Sequence, residues 1–348
     1  MKRLFMYTAM HFIVDFSCIF YLMGMVYMML PTPQLRLEAA VIYNMLAFAL
    51  PALLGLLADL AGKNAFTSCL GCLLIFLCYI ITPGPWSAVA LIGVGNGLFH
   101  IGGGRQILQD SMPKYAPSGI FISSGALGVF LGKTLSGAFR HWVYILIWAV
   151  LAACVILLAF CGIRQNPSGK RSKLSSQKTG AKMLMLSVMI FIVVIIRSYY
   201  GFAAAYPWNN GFTTGLIFTI CIVAGKFLGG IAADRFGVCA AAAVSLGGSG
   251  ILALFSFGSP VAGCASILLF NMTMPVTLTL LTGLWNELPG FAFGVLMLAL
   301  FLGTLPNMVW KISWMSSPAG LLGLCLISLA LLLGVIKMEE RKCTFSGC

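Results

Sequence analysis

Stretches of about 20 apolar residues recur along this chain from its first residues to its last, and that recurrence limits the fold more than any motif does. Each is long enough to cross the ~30 Å hydrocarbon layer of a membrane as a helix. Twelve spans are read, at about 4–29, 37–60, 64–82, 86–109, 118–139, 142–163, 183–206, 210–233, 238–258, 261–283, 289–310 and 318–337. With 60% hydrophobic and only 8% charged residues, the composition excludes a soluble fold. The expectation is an all-α membrane protein of twelve transmembrane helices. The opening MKRLFMYTAMHF imitates a signal peptide, but Asp15 interrupts its apolar core and no small-residue cleavage site follows. It reads as an uncleaved first helix.

The formal net charge of +13 first suggests a nucleic-acid partner. The positions of the charges argue against it. With the amino terminus inside, the cytoplasmic segments hold Lys2, Arg3, Lys63, Lys114, Arg164, Lys170, Arg171, Lys173, Lys178, Lys182, Arg235, Lys337, Arg341 and Lys342, whereas the outer loops hold Arg36, Arg140 and Lys311. This is the positive-inside bias, which puts both termini in the cytoplasm and the chain in the cell membrane, with lipid and not nucleic acid around it. Most of the 12 cysteines lie in apolar segments, where a thiol behaves as a small hydrophobe. Cys69 and Cys72 have the spacing of a redox or metal pair but no second pair beside them. Cys343 and Cys348 in the short tail acquire no role.

One long polar stretch, RQNPSGKRSKLSSQKTGAK at 164–182, divides the spans into six and six: an amino-terminal half (1–163), a basic cytoplasmic linker, and a carboxy-terminal half (183–348) ending in a short tail. A repeat marks the halves as duplicates. GLLADLAGK and GIAADRFGV align Gly55, Ala58, Asp59 and Gly62 with Gly230, Ala233, Asp234 and Gly237 at one constant offset of about half the chain. Both stretches resemble the G-x-L-x-D-R-x-G-R-K loop signature of the major facilitator superfamily. That resemblance implies two pseudo-symmetric six-helix halves around a central cavity, and it implies that Asp59, Asp234 and Arg235 serve a cytoplasmic gate by pairing with helix ends and loop cations. Leu60 stands where the first copy's arginine belongs, and Val238 and Cys239 replace the second copy's basic end.

A narrower resemblance, to the fosmidomycin-resistance-like branch, rests on HFIVDF (His11, Asp15), on GNGLFHIGGGR (Gly97, Phe99, His100) and on Gly125, Gly128 and Gly132 in the fifth span. Ile101 and Lys133 take the places of two prolines in those patterns. The second of these prolines belongs to a signature of proton-driven exporters, so drug efflux is the weaker implication.

Charges placed at mid-membrane cost about 2.5–3.5 kcal/mol each even on the lenient insertion scale, and so mark function. They are Asp15 in span 1, Arg105 in span 4, Lys133 in span 5, Arg197 in span 7 and Lys226 in span 8. Spans 3, 6, 9 and 12 have none, as suits the outer supports of the facilitator fold. Four cations against one carboxylate call for an anion, or for water, to complete the balance. Lys133 lies about 22 Å along its span at 1.5 Å per residue, and Arg197 is equally deep in its own, so the anion is expected between them. Tyr200, one turn beyond Arg197, shares its face. Lys226 and Arg105 are read as aids to attraction or gating, with snorkelling or pairing to a helix end as the plain alternative. His11 and Asp15, four residues apart, fall on one face and are assigned to coupling. His100 either binds substrate, relays a proton, or packs at a flexible glycine break. Asn271, Asn307 and Trp310 are read as cavity polar groups or ordinary interhelical hydrogen-bonders.

GVGNG lacks the preceding strand of a phosphate loop, and NMT at Asn271 lies within a span. No Walker motif, metal cluster or hydrolase triad appears, so neither an enzyme nor a cofactor is expected. The sequence thus points to a monomeric secondary transporter that moves a small organic anion by alternating access, coupled to protons or to a counter-anion. Proton-driven drug efflux is the alternative within transport. A transport-inactive membrane sensor or assembly partner is the alternative outside it.

Overall fold

The computed structural model describes residues 1–137, 141–164, 180–309 and 314–345. Among these it has no strand and twelve helices: α1 (Lys2–Met29), α2 (Pro33–Ala61), α3 (Asn64–Ile81), α4 (Pro85–Ser111), α5 (Ala116–Ser136), α6 (His141–Arg164), α7 (Ala181–Ala203), α8 (Phe212–Phe236), α9 (Val238–Ala253), α10 (Pro260–Leu284), α11 (Pro289–Val309) and α12 (Pro318–Phe345). Ten are long and apolar enough to cross a membrane by length and composition. The other two are α9, a shorter apolar helix of 16 residues, and α4, whose 27 residues end in a polar turn carrying Arg105, Gln106, Gln109 and Asp110.

Local chemistry sets the ends. Proline occupies the first position of α2, α4, α10, α11 and α12, where its fixed φ suits a helix start and its missing N–H costs nothing. Thr32 and Ser259 cap α2 and α10 by accepting from the amides of Leu35 and Ala262. At the other end, Gly62 stops α2 with φ 69° and Gly237 stops α8 with φ 85°. A side chain at either would be strained, which explains why both copies of the repeat end in glycine. Proline inside a helix leaves a carbonyl unbonded, and α2 widens to a π-turn at Met45–Ala49 immediately before Pro51.

The chain packs as two compact units. One comprises Met1–Asp110, Ser124–Gln177 and Trp285–Phe301; the other comprises Ser111–Ser123, Lys178–Leu284 and Leu302–Cys348. Each is therefore one sequence half with a short segment of α5 or α11 exchanged. In the first, α3 lies along α6, and α6 turns Trp142, Ile145, Leu146 and Ile156 outward, as an outer support without interior charge should. In the second, α9 packs between α10 and α12, and its serines Ser245 and Ser249 are buried with Ser266 of α10. Small side chains allow this close helix contact.

Candidate functional site

His11 and Asp15 share a face of α1 as their spacing predicts, with His11 Nε2 3.2 Å from Asp15 Oδ2. The fold adds a third member that the sequence left separate. His100 of α4 brings its Nε2 to 2.8 Å from His11 Nε2 and 3.7 Å from Asp15 Oδ1. His100 Nδ1 is 2.9 Å from the Asn96 carbonyl, which can only accept, so Nδ1 carries a proton and donates it. Asn96 Nδ2 donates to Asp15 Oδ1 at 2.9 Å, and all four residues are buried. Asn96 was missed by sequence reasoning; its position one turn before His100 was the available signal.

Helix α5 approaches this cluster through glycines. A Cβ on Gly125 would collide with Asp15 Oδ2 and His11 Nε2, while Gly128 and Gly132 lie against the α1 backbone at Phe12 and Phe16. The flexible break considered at His100 does not exist: α4 is continuous from Pro85 to Ser111. Its glycines are used for contact instead, Gly102 against Asn64 and Ser68 and Gly104 against the Phe293 ring.

Arg105 differs from expectation in its balance of charge. It is fully buried, and its Nε donates to Asp59 Oδ1 at 2.6 Å while Nη1 donates to Asn64 Oδ1. Asp59, placed by the repeat in a loop, is itself fully buried in the last turn of α2. It also accepts from the amides of Gly290 and Phe291, at 3.0 and 2.8 Å, at the start of α11. Arg105 is thus a neutralised cation, and the four cations set against the single carboxylate Asp15 become three.

Asp234 repeats half of this arrangement. Its two oxygens accept from the amides of Tyr115 and Ala116, both at 2.9 Å, at the start of α5. Each duplicated aspartate therefore caps a helix start, where the exposed N–H groups and the dipole favour an anion. The duplicated glycines one turn earlier make room: a Cβ at Gly55 would strike the Gly290 carbonyl, and one at Gly230 would stand 2.6 Å from the Tyr115 carbonyl. The copies differ in the cation. Arg235 is exposed, with its guanidinium 5.6 Å from the centroid of the Phe236 ring, and no arginine reaches Asp234 among the described residues.

Arg197 is buried in α7, with 7% of its surface exposed. Its Nη1 donates to Thr277 Oγ1 of α10 at 3.1 Å, and no carboxylate forms an ion pair with it among the described residues. Thr277 was not anticipated. Tyr200 does not join it: its ring stacks on Phe270 with centroids 3.9 Å apart and its hydroxyl pairs with Ser266 Oγ at 2.9 Å, so it is bound into the helix packing. Lys133 is exposed in the last turn of α5, and Lys226 is half-buried in α8. Asn271 turns back to the Ile267 carbonyl of its own helix, and Asn307 of α11 donates to the Tyr199 carbonyl. The Asn307 bond thus joins two helices, whereas that of Asn271 stays within one. Trp310, Arg140, Lys311, Cys348 and most of the 164–182 linker lie outside the described residues.

This arrangement of helices is the major facilitator fold. Solved structures with it include the human organic anion transporter MFSD10 (TETRAN), with a TM-score of 0.68 and 13% identity over 95% of this chain and 99% of that one. The fucose:proton symporter FucP of E. coli gives 0.66 and 13% over 97% and 98%. A bacterial homologue of the iron transporter ferroportin gives 0.63 and 15% over 98% and 100%. No protein-family model matches the chain, and no curated protein matches it in sequence. The narrower fosmidomycin-resistance-like resemblance therefore rests on the motifs alone.

Proposed function

We propose that the protein is a secondary transporter that carries a small organic anion, a carboxylate or a phosphonate, across the cell membrane by alternating access. The observation that carries this reading is Arg197: a buried guanidinium whose one side-chain partner among the described residues is a neutral hydroxyl. A charge in that position is stable only with water or a counter-ion beside it, and a guanidinium fork grips a carboxylate or phosphonate through two parallel hydrogen bonds. Thr277 accepts from Nη1 and so orients the fork, its own hydroxyl proton being directed at the Thr273 and Met274 carbonyls. Lys133, exposed near the end of α5, and half-buried Lys226 act as attracting charges, a lesser role than gripping. That the human neighbour MFSD10 is an organic anion transporter supports the substrate class.

Coupling is placed at His11, Asp15 and His100, a cluster that takes up and releases a cation, the proton being the smallest. Exchange against a returning anion is the other way to balance charge. Asp59 and Asp234 hold helix starts that must let go as the transporter opens to the cytoplasm, the side on which the basic residues place both termini.

The test is counterflow in liposomes loaded in turn with carboxylates, phosphonates and inorganic anions. Uptake of at least one organic anion, abolished in Arg197→Ala and retained in Lys133→Ala at reduced apparent affinity, is the expected result. Transport that ignores Arg197→Ala overturns the reading.

A further inference from the structure

The geometry of the α1–α4 cluster points to a ligand beyond the anion: we propose that His11, Asp15 and His100 bind one divalent transition-metal ion of the class that imidazole and carboxylate donors take, Zn(II), Co(II), Ni(II) or Fe(II). The proposal rests on the reading of this cluster as the coupling-cation site and names the cation.

Three ligand atoms from three residues lie within 4.8 Å of one another: two imidazole Nε2 atoms and a carboxylate oxygen. Tetrahedral coordination with metal–nitrogen distances of about 2.0–2.1 Å sets neighbouring ligand atoms about 3.3 Å apart. The two Nε2 atoms are 2.8 Å apart, His11 Nε2 is 3.2 Å from Asp15 Oδ2 and His100 Nε2 is 3.7 Å from the other oxygen, Oδ1; these separations bracket that value, so a small rotation of the carboxylate closes the set around an ion.

The outer partners are those that metal ligands use. A ligating histidine donates its other N–H to a carbonyl, which fixes the tautomer and aims the bare nitrogen at the ion. His100 does this through Nδ1 to the Asn96 carbonyl. A ligating carboxylate is itself held by a hydrogen bond, and Asn96 Nδ2 holds Asp15. The remaining atom of that amide, Asn96 Oδ1, is buried without a hydrogen-bond partner among the described residues and is available to a metal-bound water. At the point where α5 meets the cluster stands Gly125, and a methyl there would occupy the space of the ligand atoms themselves.

One proton does not satisfy the same geometry. The hydrogen on His11 Nε2 points along one line, to His100 or to Asp15, whereas an ion meets all three ligands at once. A divalent ion with a single carboxylate leaves the site with a net positive charge, which matches a carrier of anions.

The test is equilibrium binding of Co(II), and of Zn(II) in competition, to the purified full-length protein in lipid nanodiscs. One equivalent of Co(II) is expected, with visible d–d absorption of four- or five-coordinate metal and an X-ray absorption shell of nitrogen and oxygen without sulfur. Asp15→Asn and His100→Gln should each weaken binding at least 30-fold, and Gly125→Ala at least tenfold. Cys69→Ser should leave the stoichiometry at one. Absence of binding to the wild-type protein at micromolar Co(II) overturns the proposal whatever the variants do, as does a sulfur shell or binding that persists in both ligand variants. Failure here is distinct from failure of the transport reading. Coupled transport that requires Asp15 without any metal binding sinks the metal and keeps the coupling site; metal bound to a protein whose anion transport ignores Asp15→Asn does the reverse.

Discussion

Arg105 donates to Asp59 at 2.6 Å in a site where neither side chain has measurable exposure, and the same carboxylate caps the first turn of α11 through two backbone amides. Breaking a buried pair by removing one member strands the other, at about 3–5 kcal/mol. Asp59→Asn leaves a buried guanidinium uncompensated and weakens two amide contacts, so it is expected to cost more than Arg105→Met, which leaves Asp59 its two amide donors. The double variant should be milder than the sum of the singles, since each removes the charge that the other stranded. Thermal unfolding of the three variants in one detergent checks this order; additivity contradicts it.

The duplicate site predicts a contrast. Asp234 caps α5 through the amides of Tyr115 and Ala116 but has, among the described residues, no buried arginine to strand. Loss of an N-cap acceptor costs about 1 kcal/mol, and its interaction with the helix dipole is screened by salt. Asp234→Ala is therefore expected to lower the unfolding temperature by a small fraction of the Asp59→Asn effect, and high salt should shrink the difference from wild type. Equal losses at the two aspartates would contradict the contrast.

Much of this fold was legible because the causes are local. Apolar length gave the helices, and the repeat gave Asp59 and Asp234 equivalent places because the same glycine, aspartate and left-handed stop are needed twice. The pairing of Arg105 was not legible. Its partners Asp59 and Asn64 lie more than 40 residues away, and nothing in the spacing shows that an aspartate beside a basic turn is drawn into the helix interior. His100 was seen but not joined to Asp15, since only the crossing of α1 and α4 brings residues 85 apart in sequence together. Tyr200 failed for the opposite reason. Helical spacing puts it near the face of Arg197, but Phe270 and Ser266 offer its ring and hydroxyl a complete packing site.

The glycine ladder on α5 is expected to tolerate little. Gly128 and Gly132 face the carbonyls of Phe12 and Phe16, and backbone atoms cannot swing aside as a flexible side chain would. Overpacking costs about 1–3 kcal/mol per added group where the neighbours cannot move. Gly132→Val should lower the yield of monodisperse protein more than Gly137→Val, because no atom of the described residues stands within 4 Å of a Cβ at Gly137, just past the helix end. Fluorescence-detected size exclusion compares the two directly.

The sharpest prediction concerns the chemistry of the charge at Arg197. If the guanidinium grips the anion bidentately, a lysine in its place keeps the charge and loses the fork. Arg197→Lys is then expected to weaken apparent substrate affinity about tenfold or more, and Arg197→Ala to lose about 2–5 kcal/mol of binding, enough to abolish counterflow at micromolar anion. Thr277→Val removes one neutral acceptor from Nη1 without altering charge. Because a buried guanidinium deprived of a partner becomes more dependent on its ligand, this variant should lose thermal stability in the empty state and regain most of it at saturating anion. Arg197→Ala, with no cation left to satisfy, should show no stabilisation by the anion at all. Thermal shifts with and without the anion identified by counterflow measure both effects, and an Arg197→Ala protein that the anion still stabilises would place the binding charge elsewhere.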